Sequence, residues 1–173
     1  MKKRITTLIV GALIVSSIGT SNAASKPIVP VTKNPILNQS VQTGLSISMA
    51  TVENNVDPVT KKDLTDFLLI SVSNRSRKAA TGLEIFYTMK DSVTKASESY
   101  YQKLTNITVK AGATANLYFD NGKAAGHFPE NKFSLYRSSP NEVVFSIILS
   151  AKGLKIAKAV AIKSKGTGEV AGG

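Results

Sequence analysis

Apolar and polar residues alternate with a period of two over much of the chain. Leu45, Ile47, Met49 and Thr51 are interleaved with Ser46, Ser48 and Ala50, the signature of a half-buried β-strand. Residues 83–90 repeat the pattern, with Leu83, Ile85, Tyr87 and Met89 on one face and Glu84, Phe86, Thr88 and Lys90 on the other. An Asp91–Lys95 hairpin connection then leads to a returning strand, SESYYQKL, at 97–104. Its adjacent Tyr100 and Tyr101 must point to opposite faces, so one is expected in the core and one outside. Ala115, Leu117 and Phe119 mark a further strand after a tight turn at 110–113, where Gly112 can take positive φ.

Two short apolar runs, Phe67–Ser73 and Val143–Ser150, read as buried strands. Turn-rich segments separate these elements: 54–63 with its pre-proline Asp57, the polar Asn74–Lys78, and Ser138–Asn141. Thr105–Val109 reads as extended chain. Leu154–Lys163 is ambiguous. Its alanines and lysines suit a helix, but Ile156, Val160 and Ile162 share one parity behind Gly153, and a final strand paired with 142–150 is the simpler account. Seven short strands with turns every 8–12 residues predict an all-β fold, an immunoglobulin-like two-sheet antiparallel β-sandwich over 45–165. Between the strands at 114–119 and 142–150 lies DNGKAAGHFPENKFSLY (120–136), which holds the single histidine, His127. Phe128, Phe133, Leu135 and Tyr136 make it apolar enough to plug an open end of the sandwich.

The start of the chain changes the picture. Lys2, Lys3 and Arg4 precede an apolar run from Leu8 to Val15 and the small residues of Ser21-Asn22-Ala23. This is the layout of a secretory signal with cleavage after Ala23. The run is too short for a membrane anchor, which needs about 20 apolar residues. A Pro-containing arm at 24–44, with prolines at 27, 30 and 35, is expected to be extended, lying on its own domain or reaching a neighbour; 166–173 reads as a frayed tail. The expectation is a secreted or periplasmic protein with no membrane span after processing.

The chain has no cysteine, which removes disulfides, thiolate chemistry and a lipobox. Of 22 basic residues three leave with the signal, so 19 remain against 11 acidic, a net +8. That charge is mostly lysine, which in a β-protein more often serves solubility and guarded strand edges than base recognition, and leaves a weak attraction to anionic cell-envelope polymers. Nucleic acid is therefore not expected as a partner.

Catalytic patterns are poor. His127 has Asp120, Glu130 and serines nearby in sequence, but no Gly-x-Ser-x-Gly elbow accompanies it. One histidine without cysteine cannot build the common zinc sites. Asp120-Asn-Gly122 lacks the later carboxylates of a calcium loop, and paired carboxylates for glycoside hydrolysis would meet only in the fold. No catalytic residue, metal site or cofactor is expected. Asn38, Asn74 and Asn106 match the glycosylation pattern, read as chance matches behind a bacterial-style signal.

The segments SNRSRKAATGLEIFYTMKD, SESYYQKL, VKAGATANLYFDN and GHFPENKFSLY together resemble small secreted bacterial and archaeal β-sandwich proteins with an FxLYD-type layout, over about Leu45 to Lys163. The resemblance implies the sandwich and no catalytic residue. The expected function is a non-catalytic extracytoplasmic module that binds a protein or an anionic envelope component, with His127, Phe128, Tyr136, Arg137 and Tyr101 as candidate contact residues. The alternatives are a structural subunit that donates its arm to a neighbour's sheet edge, self-association included, and a disfavoured hydrolase.

Overall fold

The computed structural model describes residues 28–53 and 67–166. The signal with its cleavage after Ala23, the turn-rich 54–63 and all of the tail beyond Gly166 lie outside the described residues.

The alternating segments form the expected strands: β1 (Leu45–Glu53), β2 (Phe67–Asn74), β3 (Leu83–Asp91), β4 (Ser97–Leu104) and β5 (Thr114–Phe119). A two-residue β6 (His127–Phe128), one helical turn α1 (Leu135–Ser138), β7 (Val143–Ala151) and β8 (Leu154–Lys163) follow. Two four-stranded sheets result, in the orders β1-β2-β5-β6 and β4-β3-β7-β8. All pairings are antiparallel except β5 with β6. This is an immunoglobulin-like β-sandwich, with β6 and α1 added by the 120–142 connection.

The core lies between the sheets and is graded along its length. Ile70, Val72, Leu83, Ile85 and Leu149 fill the end near the β2–β3 turn. Aromatic rings fill the other: Tyr87 packs on Tyr100, Phe119 and Phe145 at centroid distances of 5.6, 6.0 and 6.3 Å. The connection adds Phe128 on Phe119 and Tyr136 on Phe145. Tyr100 is buried and Tyr101 half-buried on the outer side, as their adjacency requires. Phe133 departs from the plug and is 76% exposed.

Residues 154–163 are a strand, but its faces are the reverse of what its larger side chains advertise. A register shift between Leu149 and Ala151 sets Leu149 against Ala157 and Phe145 against Ala161. Ala157, Ala161 and Lys163 therefore face inward, while Val160 and Ile162 are exposed. Small inward residues let β8 lie close against β1, with which it packs where the two sheets meet. Thr105–Val109 also differs from plain extended chain. A turn with Asn106 at φ +65° interrupts it.

The described part of the arm lies on its own domain. Val31 donates its amide to Ser99 at the free edge of β4, 2.8 Å away. Asn38 Nδ2 reaches Ser150 Oγ, Ala151 O and Leu154 O at 2.8–3.0 Å. Gln42 O accepts from Lys155 N. Gly44 then enters β1 at φ +129°, and a Cβ there would stand 2.7 Å from Ser76 Cβ; only glycine fits so close to the β2–β3 turn.

Candidate functional site

The two ends of the sandwich are chemically unlike. At one end the 120–142 connection is fastened by buried polar groups. Asp91, at the end of β3, is 2% exposed. Its carboxylate accepts from Ser139 Oγ, from Asn141 Nδ2 at 3.0 Å and from the Val93 and Thr94 amides at 2.8 Å. These donors, Ser139 first and then Asn141, hold its pKa well below the usual carboxylate range against the opposing effect of burial. Lys163 Nζ donates to Ser139 O and closes the same corner.

Beside it, Glu130 is ion-paired with Arg137, accepts from Tyr136 Oη at 3.0 Å, and donates its own amide to Asn121 Oδ1. Glu98 Oε2 accepts from Tyr100 Oη and from the Leu135 amide at the start of α1. Burial, with Glu98 nearby, pushes the Tyr100 phenol well above its ordinary pKa, and burial does the same to Tyr87. Such buried polar groups are costly unless satisfied and, once satisfied, fix one conformation. This end is a clamp on the connection.

His127 sits at its margin. Its Nδ1 lies 2.8 Å from Asp120 Oδ2 and its ring stacks on Tyr118 at 4.9 Å. Gly122 makes room for it, since a Cβ there would fall 2.4 Å from Nδ1. Asp120 joins the His127 ring to the Gly122 amide and so ties the two sides of the turn together.

The five candidate contact residues do not converge. Phe128 and Tyr136 are buried in the core, with their rings packed on Phe119 and Phe145. Arg137 is turned onto Glu130 and stacks over the Tyr136 ring. Tyr101 lies on the outer side of the other sheet and donates to Glu84 Oε1 at 2.6 Å; burial and then the Glu84 carboxylate push its pKa up to about 12. His127, Tyr101 and Arg137 are each half-buried, with His127 and Tyr101 on opposite sheets.

The other end was not anticipated. The β2–β3 turn, the β4–β5 connection and the β7–β8 hairpin meet there and carry Arg75, Arg77, Lys78, Lys110, Lys152 and Lys155, all exposed. No aspartate or glutamate occurs in 28–52, 67–83, 99–119 or 143–166, and none of the six is ion-paired among the described residues. Asn74 organises this end. Its fully buried amide donates to Lys78 O and Val109 O at 2.8 and 2.9 Å, while Oδ1 accepts from the Ser76 amide. It thereby ties the Arg75–Lys78 turn to the Lys110 turn. Asn74 is a turn residue in the sequence, but the meeting of these cations exists only in the folded topology.

Among the described residues no group of three or more His, Cys, Asp or Glu could hold a metal ion, and no helix is long and apolar enough to cross a membrane. No family model matches the chain, and no curated protein matches it. Among solved structures, it is similar to Bacteroides uniformis beta-glucuronidase 2 covalently bound to cyclophellitol-6-carboxylate aziridine, at 14% identity and a TM-score of 0.38; the match covers 73% of this chain and 13% of that one.

Proposed function

We propose that this protein is a non-catalytic extracytoplasmic binding module whose basic end holds an anionic polymer of the cell envelope. The uncompensated cluster of Arg75, Arg77, Lys78, Lys110, Lys152 and Lys155 carries the reading. Distributed over three connections, these cations suit a chain of repeated negative charges better than one small anion, which needs converging donors. The extracytoplasmic address follows from the signal expected at 1–23. The arm's hydrogen bonds to its own domain favour this module over one that donates the arm to a neighbour.

The test is binding of the purified protein to immobilised polygalacturonate over a salt series. Affinity falls steeply as salt rises, because the contacts are exposed ion pairs. Charge reversal by Arg75→Glu, Lys110→Glu and Lys152→Glu together lowers affinity at least about tenfold, a modest sum for three lost attractions. The control reversals Lys123→Glu and Lys132→Glu, outside the basic end, change it by less than about twofold. Equal losses in both sets, or no binding at all, reject the reading.

A further inference from the structure

Beside the basic end, β3 and β4 part company. Leu83 pairs with Leu104, and the next contact along is the bridge between Ala80 and Val109. Two residues, Thr81 and Gly82, span the gap on one side and four, Thr105 to Thr108, on the other. The longer segment bows outward through Asn106 at φ +65° and leaves an open groove of about 540 Å³. That lies within the roughly 300–1,000 Å³ of small-ligand sites.

The groove is lined by Thr81, Glu84, Lys103, Thr105, Asn106 and Thr108, among others. The three threonines, Asn106 and Lys103 are exposed, and none of their side chains is hydrogen-bonded among the described residues. Glu84 accepts from Tyr101 through Oε1, and its carboxylate remains part of the lining. The groove thus offers three hydroxyls and one amide, each able to donate and accept, and a single free ammonium. It is continuous with the basic end, since Lys152 N donates to Thr81 O at 2.9 Å and Lys152 Cβ lies 3.7 Å from where a Cβ on Gly82 would be.

We infer that this groove recognises the hydroxylated ring of an acidic sugar polymer, with Thr81, Thr105, Asn106 and Thr108 reading ring hydroxyls and Lys103 the acidic group. The inference rests on the basic-end reading and adds selectivity to it. Charge alone cannot tell one polyanion from another, whereas hydroxyls paired with a row of donors and acceptors can.

The experiment compares wild-type protein on three probes: polygalacturonate, poly-L-glutamate of matched charge and length, and single-stranded oligo-dT. The expected result is a preference of about tenfold for polygalacturonate over poly-L-glutamate, the yield of a few net hydrogen bonds. The variant Thr105→Ala, Asn106→Gly, Thr108→Ala abolishes that preference while its affinity for poly-L-glutamate stays within about twofold. Glycine at 106 keeps the left-handed backbone while removing the amide. Thr108→Ala alone is run beside it, with a partial loss expected, so that a folding defect in the triple variant still leaves a readout.

Equal wild-type affinity for the two carboxylate polymers overturns the groove inference and leaves the basic-end reading standing. A preference that survives both variants, or tighter binding to oligo-dT than to polygalacturonate, overturns it too. Failure to bind either carboxylate polymer removes the basic-end reading and this inference together.

Discussion

Asp91 and Asn74 mark opposite ends of the sandwich, and each holds a connection that the sequence shows only as a string of turn residues. Asp91 is stabilised as a carboxylate by Ser139, Asn141 and two backbone amides, so its folded pKa lies below the unfolded one. A depressed carboxylate contributes stability that is present above its unfolded pKa and lost as pH falls through the folded value. The protein should therefore lose stability progressively below about pH 4. Asp91→Asn should be less stable at neutral pH and show a shallower loss in that acid range, measured by urea unfolding at stepped pH; an unchanged acid slope would remove Asp91 from the account. Asn74 serves carbonyls instead. Asn74→Ala leaves Lys78 O and Val109 O without their buried donor and should cost about 2–4 kcal/mol. Thermal unfolding checks this, and a loss below about 0.5 kcal/mol, the size of an ordinary surface change, would mean that water replaces the amide.

At the scale of elements, the arm and β8 show what the hydrophobic pattern can and cannot convey. Gly44 admits the arm beside Ser76, so Gly44→Ala combines an unfavourable φ with a backbone collision. We expect a loss of about 1–3 kcal/mol and faster amide exchange at Arg75, whose amide donates to Gly44 O; exchange unchanged at Arg75 would show that the arm and turn are not coupled. The strands themselves were legible because period-two alternation reports one buried face directly, as Leu83, Ile85, Tyr87 and Met89 do. In β8 the same reading identified the strand but not which parity turns inward. The bulge near Ala151 and the approach of β1 decide which parity turns inward, and both are properties of the assembled sheets. β6 and α1 were invisible for a similar reason. A two-residue parallel pairing and one helical turn have no period to detect, and they exist because Glu98, Glu130 and Asp91 anchor the chain around them. The groove likewise depends on a register difference between two strands, which no single segment contains.

At the scale of the molecule, and among the described residues, most of the acidic side chains gather at one end, with Glu84 beside the groove an exception. Asp91, Glu98, Asp120, Glu130 and Glu142 lie toward the clamp, where the hydrogen bonds of the first four hold the connection in place. Among the described residues the six cations of the basic end have no ion pair, and exposed cations so gathered repel one another. Such repulsion lowers the stability of the free protein and is relieved when a polyanion binds. This gives a prediction that does not depend on knowing the ligand. Replacing Lys110 and Lys152 with glutamine should raise stability by a few tenths to about 1 kcal/mol at low ionic strength. The gain should fade near 1 M salt, where the screening length falls to about 3 Å. Paired thermal scans of wild type and variant at about 10 mM and 1 M salt measure the effect. A variant that is less stable than wild type at low salt would show that these lysines support the fold by contacts of their own, and the strained, ligand-seeking character assigned to this end would be lost. A gain that persists at high salt would point to helpful packing by glutamine instead of relief of repulsion. The proposed function requires the first outcome because binding and self-repulsion arise from the same uncompensated charges.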